Sequence, residues 1–124
     1  MSKILIVDDD KTMTALLKAL VTMDGHTPTI VNDSTKAIEI ASSVDPDLIT
    51  LDLMMPVLSG FELCEMLQQD PRFVNIPIII ISARDDAESK QRALKAGAKE
   101  YMTKPFDADE FMQKISELTR PQRP

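Results

Sequence analysis

The chain has 124 residues, 44% hydrophobic and 27% charged, with a net charge of −6; this describes one globular domain, too short for two. The negative balance argues against nucleic acid or an anionic membrane surface as a direct partner, and no apolar stretch approaches the ~20 residues of a membrane span. One cysteine, Cys64, excludes an internal disulfide and fits a reducing, cytoplasmic location, and Met1-Ser2-Lys3 running straight into a predicted strand leaves no sign of a signal peptide.

Residues 4–7 (Ile-Leu-Ile-Val) form a short, wholly apolar run rich in β-branched residues, which predicts a strand. Met13, Leu16, Leu17, Leu20 and Val21 then recur at helical spacing and predict an amphipathic helix over about 11–24, its inner face made of those residues. Asp10 suits its N-cap and Gly25 a left-handed C-terminal cap. Residues 27–31 form a weaker strand whose Pro28 lacks an N–H and suits a sheet edge. A second helix is expected over about 34–44, capped by Asn32 or Asp33, with Ala37, Ile38, Ala41 and Val44 inward.

Asp45-Pro46 turns the chain into a strand over 48–51. A third helix covers about 60–69, burying Phe61, Cys64 and Leu67, and Asp70-Pro71 stops it. Residues 78–81, four isoleucines, are the most apolar strand. A fourth helix over about 86–96 ends at Gly97, and a shorter strand runs over 98–103. The last helix opens with Asp107 and Glu110 at capping-box spacing and turns Phe111, Met112, Ile115 and Leu118 inward. The domain is expected to fill residues 1–120, with Pro121-Gln122-Arg123-Pro124 as a tail or the start of a linker.

Strict alternation of strand and helix predicts an α/β fold, a doubly wound five-stranded parallel sheet with helices on both faces. The wholly apolar first, third and fourth strands belong at the centre and the mixed second and fifth at the edges. That gives the order 2-1-3-4-5, the flavodoxin-like one.

In this order the first and third strands flank the point where the winding reverses, and ligands bind beyond the strand ends there. Asp8 and Asp9 follow the first strand and Asp52 follows the third. With strands about 4.8 Å apart, their carboxylates converge on one ion. Two such charges about 5 Å apart repel by about 3 kcal/mol at an effective dielectric near 20, which either raises a carboxylate pKa or draws in a cation. The donors are hard oxygens and the sole histidine, His26, lies at the other end of the sheet, where it is expected to be solvated. The donor set favours Mg²⁺ or Mn²⁺ over zinc. Strand-end aspartates often only cap helices, as Asp10 is expected to; three at one switch point favour a site. Ser82 and Lys104, at the same edge after the fourth and fifth strands, add a hydroxyl and a cation. Singly these are a turn residue and a surface charge; together they suit a phosphoryl group.

The sequence resembles the receiver domain of bacterial two-component response regulators, of the kind seen in chemotaxis regulators, over about residues 3–119. The resemblance rests on Asp8-Asp9, on Asp52 in Leu51-Asp52-Leu53-Met54-Met55-Pro56, on Gly60, on Ser82-Ala83 and on Lys104-Pro105. It implies that Asp52 accepts a phosphoryl group from a phosphohistidine on a sensor histidine kinase or phosphotransfer protein. It also implies that Asp9, Asp52 and the Met54 backbone carbonyl bind Mg²⁺, with Asp8 acting through water. Lys104 would pair with phosphoryl oxygens and Ser82 would hydrogen-bond to one. Ser82 and Tyr101 would form the switch that changes the surface of the fourth helix, fifth strand and fifth helix for a target protein or an output domain. Met54 and Arg84 would modulate dephosphorylation, the Lys104-Pro105 bond would be cis, and the only catalysis would be the domain's own phosphotransfer and autodephosphorylation. Dimerisation through the fourth and fifth helices on phosphorylation stays open.

Three other chemistries fit less well. An aspartyl phosphatase needs a second acid two residues after the nucleophile, where Met54 stands. A nucleotide site needs a glycine-rich loop after the first strand, and Gly25, Gly60 and Gly97 lie elsewhere. A Ser–His–Asp hydrolase would need His26 on the other side. The remaining rival is a receiver-like scaffold that binds partners without phosphorylation.

Overall fold

The computed structural model describes residues 1–119 of the chain. The elements alternate as β1 (Lys3–Val7), α1 (Lys11–Met23), β2 (Thr27–Val31), α2 (Ala37–Val44), β3 (Leu48–Leu51), α3 (Gly60–Gln69), β4 (Ile78–Ser82), α4 (Ala87–Lys95), β5 (Glu100–Thr103) and α5 (Ala108–Thr119). The strands are parallel and ordered β2-β1-β3-β4-β5, as the gradient of apolar content predicts. The expected tail at 121–124 falls outside the described residues.

Alternation of side chains along each strand divides the core in two. Leu5, Val7, Ile49, Leu51, Ile78 and Ile80 pack under α2, α3 and α4, whereas Ile4, Ile6, Leu48, Ile79 and Ile81 pack under α1 and α5. Apart from the buried Thr50 in β3, both faces of β1, β3 and β4 are therefore apolar, and polar side chains cluster at the strand ends.

Local chemistry sets the boundaries. Asp10 caps α1, its carboxylate accepting from the N–H groups of Thr12 and Met13, and Gly25 follows with φ +84°. Asp33, not Asn32, takes the cap before the second helix. That helix opens as a tighter 3-10 turn over Ser34–Lys36 before Ala37 begins the α-helix. Ser59 and Glu62 form a reciprocal capping box on α3. At α5 only half of the expected box forms: the Asp107 carboxylate accepts from the N–H groups of Asp109 and Glu110, while Glu110 turns toward Lys114 at 3.9 Å.

Three expectations are corrected. Leu16 is 47% exposed rather than inward, because α1 covers the sheet with Leu17 and Val21 and buries Thr14 instead. β5 starts at Glu100, not 98, since the Ala98 N–H turns back to the Ala93 carbonyl at 3.1 Å. His26 lies at the end of the sheet away from the acids, as expected, but is not solvated: its side chain is 11% exposed. The Thr27 N–H bonds to the Ser2 carbonyl, and the Ser2 N–H donates to His26 Nδ1 at 3.2 Å.

Candidate functional site

The site is assembled by strand register. Val7 is paired with Leu51 at the ends of β1 and β3, so the residues that follow emerge side by side. The Asp52 N–H bonds to the Val7 carbonyl at 3.0 Å and the Asp8 N–H to the Val31 carbonyl at 3.1 Å. Continued pairing holds both backbones in line with the sheet while their side chains leave it. Asp8, Asp9 and Asp52 each offer one carboxylate oxygen, and these lie within 4.8 Å of one another. Asp8 and Asp52 are buried while Asp9 is exposed.

Two supports orient Asp8. Its Oδ1 accepts from the Asp10 N–H at 2.9 Å. Its backbone carbonyl accepts from Asn32 Nδ2 at 2.8 Å, and the same amide donates to Thr14 Oγ1 at 3.2 Å. Asn32 is a supporting residue that sequence reasoning treated only as a helix cap; the signal was its place directly after β2, at the same sheet edge as the acids.

Lys104 is carried in from β5. Its N–H bonds to the Ser82 carbonyl at 2.8 Å, and its Nζ reaches Asp8 Oδ2 at 2.9 Å and Asp52 Oδ1 at 3.8 Å. The Lys104-Pro105 bond is cis. One ammonium does not balance the cluster. Burial pushes the Asp52 carboxyl up to about 6, the Asp8 charge adds to the rise, and Lys104 and the backbone N–H groups of Met54 and Leu53 oppose it.

Ser82 ends β4 fully buried, its Oγ accepting from the Arg84 N–H at 3.2 Å. The Tyr101 hydroxyl donates to the Arg84 carbonyl at 2.6 Å, and Lys90 Nζ stands 5.9 Å from the ring centroid. One backbone unit, Arg84, thus links the hydroxyls of Ser82 and Tyr101. The Arg84 side chain pairs with Asp86 at 3.3 Å. Met54 follows two residues after Asp52 with a half-exposed side chain. Gly60 packs its Cα against the backbone of Asp52 and Leu53 so closely that an added Cβ would fall 2.1 Å from the Asp52 carbonyl oxygen. The structure therefore brings Asp8, Asp9, Asp52 and Lys104 into one cluster, sets Ser82 at the same edge, and joins Tyr101 to Ser82 through Arg84.

The donor set fits a small hard cation. Three carboxylate oxygens at one sheet edge, with no sulfur or imidazole among them, match Mg²⁺ or Mn²⁺. Burial first and the Asp8 charge second raise the Asp52 pKa, and a cation bound between the two acids would relieve the second.

Comparison with known proteins identifies the family and the fold. The response regulator receiver domain family matches residues 4–116. The DNA-binding dual master transcriptional regulator RpaA of Synechocystis is 36% identical over 120 residues, spanning 97% of this chain and 50% of RpaA. Response regulator MprA of Mycobacterium ulcerans is 35% identical, spanning 95% of this chain and 50% of MprA. This chain thus spans about half the length of these curated relatives. Among solved structures, a putative response regulator from Chloroflexus aurantiacus superposes with a TM-score of 0.91 at 27% identity, covering 97% of this chain and 98% of that one. The receiver domain of Francisella response regulator 1452 gives 0.89 at 34% identity, covering 97% and 98%.

Proposed function

This chain belongs to the response regulator receiver domain family of two-component systems, and from that premise we propose that it is a phosphorylation-driven switch with Asp52 as acceptor. The observation that carries the reading is the buried Asp8–Asp52 pair closed by Lys104, with Asp9 exposed beside it. Receiver domains are signalling switches rather than turnover enzymes, and they work with histidine kinases and output domains.

A Mg²⁺ ion held by Asp9, Asp52 and the Met54 carbonyl, with Asp8 acting through water, would neutralise charge on the carboxylates and the incoming phosphoryl group. The chain's own residues do the rest. An ionised Asp52 oxygen attacks phosphorus in line with the nitrogen of a phosphohistidine; the O–P bond forms, the P–N bond breaks, and the imidazole leaves with its electron pair and takes up a proton from solvent. Lys104, already within 3.8 Å of Asp52, pairs with a phosphoryl oxygen. Ser82 turns its hydroxyl to donate to another, which gives up the bond from the Arg84 N–H. Tyr101 shares Arg84 with Ser82, so a shift at Ser82 reaches the surface of α4, β5 and α5. Met54 and Arg84 frame the access of the water that returns Asp52 to its free state. The donor is a sensor histidine kinase or phosphotransfer protein in the cytoplasm, and the reader is a target protein or an output domain. No helix among the described residues is long and apolar enough to cross a membrane.

The test is incubation with acetyl phosphate and Mg²⁺ followed by intact mass measurement under conditions that preserve acyl phosphates. One added phosphoryl group is expected, lost in Asp52→Asn. An unchanged wild-type mass would leave a partner-binding scaffold instead, and labelling of Asp52→Asn would move the acceptor elsewhere.

A further inference from the structure

The segment between β3 and α3 holds two apolar side chains in solvent against local conformational preference. Val57 has φ +68°, a left-handed backbone that is an outlier for a β-branched residue. It is the middle residue of a three-residue turn closed by the Leu58 N–H donating to the Pro56 carbonyl at 2.8 Å, and turns of this kind with positive φ are rare and strained. Glycine or asparagine would hold the same turn with less strain.

The rest of the loop prevents relaxation. The Met55 N–H closes a second tight turn onto the Leu53 carbonyl at 3.2 Å, and the Gly60 N–H donates to the same carbonyl at 3.0 Å. Met55 is buried beneath, and Ser34 Oγ donates to the Pro56 carbonyl at 3.4 Å. Val57 is left 90% exposed and Met54 58% exposed. Val57 gains almost no burial from folding, so what its side chain touches outside the fold is the natural account of the strain.

The position says what that is. Met54 and Val57 follow Asp52 by two and five residues, on the loop that leaves the same end of β3 as the acidic cluster, in a chain of net charge −6. A protein that brings a phosphoryl group within bonding distance of Asp52 approaches the sheet from the side on which this loop emerges. A small phosphodonor needs only the carboxylates and the cations, and gains nothing from an exposed valine. Resting on the acceptor role given to Asp52 above, we propose that Val57, with Met54 beside it, is the apolar anchor for the phosphohistidine-bearing protein that donates to this chain. Apolar residues flanking the phosphohistidine pack on it, and it helps determine which donor is accepted.

The test compares Val57→Gly, Val57→Asn and Val57→Ile with the wild type. The probes are acetyl phosphate, phosphoramidate and a panel of purified sensor-kinase domains phosphorylated on histidine, all with Mg²⁺. Acetyl phosphate is expected to label every variant at the wild-type rate, and the glycine and asparagine variants to melt at a higher temperature. Transfer from the kinase domain that labels the wild type fastest should fall roughly tenfold in those two variants, the scale on which loss of one interface anchor is felt, and stay near wild type in Val57→Ile. Unchanged transfer in the glycine and asparagine variants overturns the proposal. So does a panel in which no kinase domain outpaces phosphoramidate, since no protein surface would then be assisting. Failure of acetyl phosphate to label the wild type removes the acceptor assignment itself, and the anchor with it.

Discussion

Lys104 donates to Asp8 Oδ2 at 2.9 Å, closer than it comes to Asp52, across 96 residues of sequence. Asp8 is the more deeply buried of the two acids, with a side chain 3% exposed against 9%. A buried carboxylate without a partner is costly, so the ammonium settles on the acid that most needs it and leaves Asp52 partly uncompensated. The ion pair thus falls to Asp8, while Asp52, the proposed acceptor, keeps the less compensated charge.

Lys104→Ala should therefore lower stability as well as alter signalling. Removing one partner of a buried pair costs about 3 kcal/mol, toward the low end for such pairs because Asp8 keeps its bond from the Asp10 N–H. A divalent cation replaces part of the lost charge. Thermal melting should show a clear fall in midpoint with chelator present and a smaller fall in millimolar Mg²⁺. An equal loss in both conditions would contradict the shared-charge account.

The Asp52 carboxyl, raised to about 6, makes a pH prediction of unusual sign. Its folded pKa exceeds its unfolded value near 4, so between those two values the folded chain binds more protons than the unfolded one, and stability falls as pH rises. The deficit is complete above about pH 6 and amounts to at most about 3 kcal/mol. Asp52→Asn should match the wild type near pH 4 and be more stable than it at pH 7, in metal-free buffer. Denaturant melts at both pH values check this; a variant no more stable at pH 7 would show that Asp52 carries no such burden.

The sheet order and the acidic cluster were legible because they follow from the coarsest signals, wholly apolar runs and the residues at their ends. β1, β3 and β4 are buried on both faces, so their sequences admit little else. Finer placement depended on geometry that sequence carries weakly. The Ser59–Glu62 capping box was readable as S-x-x-E and went unread. Leu16 followed the helical spacing, yet the orientation of α1 on the sheet gave its inward place to Thr14. The Lys104 preference for Asp8, and the place of Arg84 between Ser82 and Tyr101, depend on three strands arriving at one edge. A strained Val57 is invisible in sequence, because a β-branched residue is an argument against the backbone it adopts.

Met54→Asn should shorten the life of the phosphorylated form. The wild-type side chain is apolar and 58% exposed two residues after Asp52, and it offers an attacking water no hydrogen bond. An asparagine amide can hold one, and the gain should be several-fold, well under the ~100-fold that a true general base supplies. Decay of the acyl phosphate after removal of acetyl phosphate, followed by mass, gives the comparison. Equal decay rates would remove Met54 from the control of water access.

Gly60→Ala couples folding to the site most directly. The added Cβ would lie 2.1 Å from the Asp52 carbonyl oxygen and 2.7 Å from the Leu53 Cα. Both are backbone atoms next to the reactive carboxylate, and neither can swing aside as a side chain would. Overpacking commonly costs about 1–3 kcal/mol, and the upper end applies here because relief requires moving the end of β3 away from α3. That movement shifts Asp52 relative to Asp8 and Lys104, whose positions are set from β1 and β5. The variant should melt lower and label more slowly with acetyl phosphate, even at temperatures where it remains folded by circular dichroism. A folded Gly60→Ala that labels at the wild-type rate would mean that the Asp52 backbone tolerates displacement, and that the register of β1 with β3 does not govern the site.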